Sequence, residues 1–533
     1  MPGDNTSLDN GHGMLGKREA NFTRLLPKKI AAYEPSSLSE LASLMNSEDE
    51  FHDGPDGEEN LFVPAGYTYF GQFVDHDLTF DTTSSLKPLT EDPDQKDATN
   101  LRTPRFDLDC LYGAGPGDQP YMYDGAKLLF GTTLDGGGKD DLIRIGVKGK
   151  ERAVVGDKRN DENSIICQIQ LAFIKFHNKV VDKLVEKKFA GNLFERARDE
   201  VRWTYQKILI EDYLRRITDA VTYDFFEQKW RASGEAAYLL YTADKRGNIP
   251  IEFAGAAYRF GHSMIRQGYR LSPKAGKDIF KPEEKDQADS FIGFGPLSSD
   301  HVIDDWRRFF ADNTLLPGQR ELSNIAVPGA KDTDVRLQWA YKIDPSLANP
   351  LASLPLAIAS RADFPLSFRD ELPSLSRFNL FRGNKFGLES GQVFAQKIGA
   401  IKLEEKYLQV RTKTADGGFT FTSIETVDPA FLKDTPLWFY VLAEAQKPII
   451  DMWIDKGRRN LTDDDFMTGP GAVSQLGAVG GTILLEVFFG LMDADPESFR
   501  AAERNGWSPM ISNSHKNPSP CTMWTLLEFT GLV

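Results

Sequence analysis

Beyond residue 158, apolar positions recur every three or four residues, the period of a helix with one buried face. In NSIICQIQLAFIKFHNKVVDKLVEK they fall at Ile166, Ile169, Phe173, Phe176, Val180 and Leu184. This stripe predicts a long helix, capped at its start by Asp161 or Ser164. A second run over residues 193–217 carries Val201, Tyr205, Ile208, Leu209 and Tyr213 on one side. Further helices are predicted over residues 252–267, 391–401, 435–457 and 476–492. Strand signals are short and scattered, as at residues 407–410 and 419–421. Residues 113–158 hold the turn-rich stretches GAGPGDQ and LDGGGKDD with the strand-like LIRIGV between them. Residues 1–60 are polar and end in SEDEFHDGPDGEEN, which predicts a loose N-terminal arm. The body then spans 61–533 as one mainly α domain with few short strands.

Composition narrows the function. A 533-residue chain that is 41% hydrophobic and 11% aromatic can bury a core without disulfide staples. Lysine plus arginine total 63 against 78 acidic residues, a net charge of −15. That balance argues against nucleic acid as a partner, which would call for a basic footprint. Only Cys110, Cys167 and Cys521 are present, too few for a disulfide framework. The most apolar stretch, residues 478–492, is broken by Gly480, Gly481, Glu486 and Gly490, so no transmembrane helix is expected. The N-terminus has no apolar run after its charges. The expected location is the cytoplasm, or outside the cell by a route without a signal peptide.

Four clusters carry candidate chemistry. In GYTYFGQFVDHDLTF a helix would place Gln72, Asp75 and His76 on one side, with Asp77 about 100° further round. In GDKRNDEN, Arg159 and Glu162 are three apart and can face one pocket. His262 stands among small residues in FAGAAYRFGHSMIRQ, where something bulky and flat could approach it. In TPRFDLDCLYG, Asp107, Asp109 and the Thr103 hydroxyl form a hard-oxygen set suited to Ca²⁺, although the spacing is not that of an EF-hand. Each alone has an ordinary structural explanation: a solvated helix end, a capping ion pair, a core histidine, a polar turn.

Their order together does not. QFVDHD, TPRFDLDCLYG, GDKRNDEN, AAYRFGHS and SRFNLFRGNKFGL, over roughly residues 60–510, resemble the animal-type haem peroxidases of the peroxidase–cyclooxygenase superfamily, most closely their bacterial branch. The resemblance implies a single helical catalytic domain with haem b between a distal and a proximal helix set. His76 would be the distal base, with Gln72 and Arg159 beside it. His262 would be the proximal iron ligand, and the Asn379 side-chain carbonyl would accept its imidazole N–H. Asp75 and Glu162 match the two carboxylates that form ester links to haem. Asp77, Thr103, Arg105 (through its carbonyl), Asp107 and Asp109 match the family's Ca²⁺ ligands. The implied activity is H₂O₂-dependent oxidation of small organic donors or halides.

The sequence departs from the family at three points. Asn163 stands where some relatives have a methionine that makes a sulfonium link to haem, so that link is not expected. Asp109 replaces a serine found in several members, and RGNKFG follows Asn379 in place of the common continuation. Two alternatives remain. One is a fatty-acid dioxygenase, which carries a radical tyrosine three residues before the proximal histidine. Here that position is Arg259, and Tyr258, one residue earlier, is expected to face away from the iron's axial line. The other is a haem-bearing binding or adhesion protein, for which the set Gln72, His76 and Arg159 would be superfluous.

Overall fold

Thirteen residues from Gly66 to Leu78 form the helix that bears most of the candidate chemistry. In the computed structural model, which describes residues 20–46, 57–80, 99–100, 102–233, 238–273, 275–282, 287–311, 336–359, 373–416, 418–512 and 521–533, strand Glu59–Pro64 leads into it. Its first turn is fastened from outside: the Ala65 N–H donates to the Gln338 carbonyl and the Gly66 N–H to that of Phe309, each at 2.9 Å. Glycine is required at 66 because a β-carbon would run into the Phe310 ring. Phe70, Phe73 and Val74 recur at helical spacing and are fully buried. Phe73 stacks on Phe173 with ring centroids 4.8 Å apart, and Tyr205 meets Phe73 edge-on at 6.2 Å. This face presses the helix onto the helices Ser164–Glu186 and Leu193–Ile208. Gln72, Asp75 and His76 are thereby left to the other side.

The long helix follows its stripe, but the cap differs from expectation. Asn163, not Asp161 or Ser164, is the capping residue, its Oδ1 accepting from Ile165 N–H at 3.1 Å and Ile166 N–H at 2.9 Å. Asp161 is committed elsewhere, accepting from Arg144 Nη1 at 2.6 Å. The 193–217 run widens into a π turn at Leu209–Tyr213 before closing as Leu214–Ile217. The 435–457 run splits into Leu437–Ala445 and Lys447–Asp455, because Pro448 has no N–H for a continuous helix. The run at 476–492 is the helix Ala478–Ala494, and that at 391 ends with Ile398, where Gly399 turns left-handed at φ 72°.

The largest departure is at 252–267. Only Ile251–Gly255 is α-helical; Ala256 leaves the helical region at φ −141°, ψ −69°, and a 3-10 turn Ala257–His262 follows. Gly255 lets the Phe386 ring close in, to within 3.0 Å of where a β-carbon would stand, and the chain folds around that contact.

All seven sheets among the described residues are two-stranded ribbons. Gln409–Lys413 pairs antiparallel with Phe419–Ser423, and Glu59–Pro64 with Trp339–Tyr341. The turn-rich stretch at 113–158 supplies three of these ribbons.

The N-terminal arm needs correction where it is described. Phe22, Leu25 and Leu26 are buried, and Leu38, Leu41 and Ala42 of helix Pro35–Leu44 pack it against helix Leu375–Phe386. Polar composition concealed these anchors: a buried Glu252 carboxylate accepts from the Leu25 and Leu26 N–H groups at 3.0 and 3.1 Å. Most of the acidic run lies outside the described residues. The three cysteines are buried and form no disulfide, and no described helix is long and apolar enough to cross a membrane.

Candidate active site

The outward face of the Gly66–Leu78 helix meets the turn Lys158–Asp161 that precedes the long helix. His76 is 4% exposed, and its Nδ1 lies 2.7 Å from Asn160 Oδ1. Burial, then the Arg159 cation, lowers its pKa to about 4, so the ring is neutral at pH 7. Gln72 Nε2 donates to a Glu162 carboxylate oxygen, and Asn163 Nδ2 reaches Gln72 Oε1 at 3.5 Å. Burial raises the Glu162 carboxyl to about 7. Arg159 is held from behind: Nη2 donates to Asp157 at 2.8 Å and to the carbonyls of Thr79 at 2.5 Å and His76 at 3.2 Å. Its Nη1 is directed toward Asp75 Oδ2 at 4.0 Å. The spacing argument thus brings Gln72, Asp75, His76, Arg159 and Glu162 together.

His262 closes the 3-10 turn, and its Nδ1 lies 2.8 Å from the Asn379 side-chain amide on helix Leu375–Phe386. The amide nitrogen faces the ring, while Asn379 Oδ1, fully buried, has no partner among the described residues. Turning the amide over lets Oδ1 accept Nδ1–H and leaves Nε2 its lone pair. Burial, then Arg259 and Arg382, holds the imidazole pKa well below its usual value, so it is the neutral ligand form. A β-carbon on neighbouring Gly261 would meet nothing within 4 Å. A neutral histidine with a free Nε2 beside open space and two cations fits a haem iron with its anionic propionates. Sequence reasoning missed Arg382 as part of this set. It sits three residues from Asn379 and so on the same side of its helix.

Tyr258 is buried against the Gly66–Leu78 helix. Its ring stacks on Phe253 at 4.8 Å, and its hydroxyl donates to the Gly71 carbonyl at 3.1 Å and meets the Tyr213 hydroxyl at 3.4 Å. A 3-10 turn after the break at Ala256, in place of the α-helix expected over this stretch, sets the direction of the side chain.

On the opposite face of that helix, Asp77, Asp107 and Asp109 bring ligand atoms within 4.8 Å of one another. Leu108, left-handed at φ 61°, aims its two neighbours at one spot. Both Asp77 oxygens are buried without a hydrogen-bond partner among the described residues. Burial, with Asp107 and Asp109 nearby, raises the Asp77 carboxyl; burial and Asp107 raise Asp109 to about 7. The Thr103 hydroxyl donates to Asp107 at 2.7 Å, and the Thr103 carbonyl accepts from Arg105 N–H at 2.8 Å. Arg102, 2.9 Å from Asp109, is the one cation in contact among the described residues, and spacing arguments did not single it out. All-oxygen donors with an orphaned buried carboxylate suit Ca²⁺.

The chain is similar in fold and in part of its sequence to known proteins. Peroxidase A from Dictyostelium discoideum has the same fold with a TM-score of 0.57 at 15% identity, over 96% of this chain and 93% of that one. A fatty acid alpha-dioxygenase from Oryza sativa reaches 0.50 at 13% identity, over 96% and 79%. The animal haem peroxidase family model matches residues 137–314, a stretch that holds Arg159, Glu162 and His262. Among curated proteins, Peroxidase mlt-7 of Caenorhabditis elegans is 25% identical over 217 residues, 38% of this chain and 29% of that protein. Dual oxidase of Drosophila melanogaster is 23% identical over 360 residues, 66% of this chain and 18% of that protein. The chain therefore spans less than a third of the length of either curated relative.

Proposed function

We propose that this protein is a haem peroxidase that reduces H₂O₂ to water while oxidising small organic donors or halides. The observation that carries this reading is the neutral, buried His76 beside Arg159 and Gln72, on a helix packed against the turn that bears His262. When bound, haem supplies the electrons for O–O cleavage and takes them back from the donor. His262 would hold it through Nε2, with Asn379 fixing the ring and Arg259 and Arg382 facing the propionates. Asp75 and Glu162 are the carboxylates available for ester links. His76 Nε2 would take the proton from the peroxide oxygen that stays and give it to the oxygen that leaves as water. Arg159, braced by Asp157 and two carbonyls, would stabilise the negative charge that develops as the bond breaks. Ca²⁺ at Asp77, Thr103, Arg105, Asp107 and Asp109 would anchor the same helix from its other face.

The test is a visible spectrum of the purified protein before and after H₂O₂, with turnover of a phenol, iodide, bromide or thiocyanate. A haem band that H₂O₂ does not perturb refutes the proposal. The contact of Tyr258 with Gly71 and Tyr213 favours a second reading, a fatty-acid dioxygenase, because it puts an oxidisable side chain against the helix bearing Gln72 and Asp75. An oxygen electrode separates the two. The peroxidase consumes no O₂ with linoleate or oleate, whereas rapid uptake abolished by Tyr258→Phe would establish the dioxygenase.

A further inference from the structure

We propose that Asn160 and Gln170 form a two-amide relay that fixes the tautomer of His76 and so makes Nε2 the proton acceptor. This deepens the peroxidase reading and rests on it. His76 Nδ1 is 2.7 Å from Asn160 Oδ1, and Asn160 Nδ2 donates to Gln170 Oε1 at 2.9 Å. The three residues are 4%, 0% and 0% exposed. Arg159, Asp157 and Asp75 are the charged groups around the ring, yet Nδ1 bonds to none of them.

A neutral imidazole carries one N–H, and the atom facing Nδ1 decides where it sits. With a carbonyl oxygen there, the proton resides on Nδ1 and the lone pair on Nε2. An isolated asparagine could turn over and present its NH₂ instead. Gln170 opposes this, since its Oε1 already accepts that NH₂ and a lone turn would set two oxygens against each other. Only a joint turn of both amides reverses the relay, and because Gln170 Nε2 is buried without a hydrogen-bond partner among the described residues, the tautomer measurement is what separates the two arrangements. The joint turn would move the ring proton to Nε2 and remove the base. Asn160 is itself fixed, because it lies in the Lys158–Asp161 turn with its N–H on the Asp157 carbonyl at 3.1 Å, while Gln170 belongs to the long helix. His262 is held by the same chemistry through Asn379, so each histidine of the site would have its Nδ1 tied by an asparagine.

The test uses the full-length chain, histidine-labelled with ¹⁵N and held in a diamagnetic state, with His76→Gln to assign the signal. The wild type should show the Nδ1–H form of His76. Asn160→Asp, whose carboxylate still accepts from Nδ1–H, should keep it, and Asn160→Leu should lose the preference. In the haem-loaded protein Asn160→Leu should slow the bimolecular reaction with H₂O₂ at least tenfold, leaving the haem band and the donor-oxidation step in place, with Asn160→Asp restoring most of the loss. Should Asn160→Leu not fold, Gln170→Leu carries the same expectation at smaller size. An Nε2–H form in the wild type, or an Asn160→Leu variant unchanged in tautomer and rate, overturns the relay. A chain inert to H₂O₂ that still loses the Nδ1–H form in Asn160→Leu supports the relay and refutes the peroxidase instead.

Discussion

Asp77→Asn should reverse its effect on stability according to whether calcium is present. Two carboxylate oxygens 4.8 Å apart, the limit of the Asp77, Asp107 and Asp109 cluster, repel by about 3.5 kcal/mol at an effective dielectric of about 20. Three such pairs cost about 10 kcal/mol when fully ionised, and Arg102, 2.9 Å from Asp109, offsets about half. Without a cation the folded chain answers by holding protons: Asp77 is raised and Asp109 titrates near 7. An unfolded aspartate has already lost its proton by about pH 4. The ion-free protein therefore binds more protons folded than unfolded between about pH 4 and 7, and its stability falls as pH rises through that window. A dication removes this slope and must displace protons to bind, so its affinity weakens as the pH drops below about 7. Asn at 77 deletes two of the three repulsions but also a ligand charge. At pH 8 in chelator the variant should melt several degrees above wild type; in millimolar calcium it should melt below it. Scanning fluorimetry in both buffers is sufficient. A wild-type melting temperature indifferent to calcium, with the variant lower in both buffers, would refute the electrostatic argument and the site.

Three further outcomes are expected. His262→Ala should lose or grossly misligate haem, while His76→Ala keeps the haem band and reacts with H₂O₂ about 10²–10⁴ times more slowly; a normal spectrum in His262→Ala would mean that the two sides are reversed. After peroxide treatment, acidified organic extraction should leave haem on the wild type and release it from the Asp75→Asn, Glu162→Gln double variant; full extraction from the wild type would exclude ester links. Asp107→Ala should weaken haem retention indirectly, since Asp77 adjoins His76, and haem titration compared with and without calcium measures this; equal affinities would uncouple the ion from the site.

Much of this was legible in the sequence because helical spacing is a local property. Phe70, Phe73 and Val74 fix which side of one helix is buried, and the positions of Gln72, Asp75, His76 and Asp77 follow from geometry alone. The resemblance then supplied His262 and Asn379, whose partnership spans 117 residues and leaves no mark in local spacing. What was not legible depended on contacts between distant segments. The break at Ala256 answers to the Phe386 ring, and the 3-10 turn after it replaces the expected helix around Tyr258. The polar N-terminal stretch hides Phe22, Leu25 and Leu26, whose burial depends on a carboxylate more than two hundred residues away. Asn160 was passed over because it stands between two more conspicuous residues, Arg159 and Glu162, and its partner Gln170 lies a loop and two helical turns further on.

Asn163 shows how one position can be closed to innovation. Its side chain secures the second and third N–H groups of a 23-residue helix and leans on Gln72 as well. Replacing such a cap typically costs about 0.5–2 kcal/mol. A lineage, or an engineer, wishing to install a methionine here to tether haem through sulfur would have to unfasten the helix that frames the site. The change would become acceptable only after another residue had taken over the cap, so the order of mutations is constrained: support first, chemistry second.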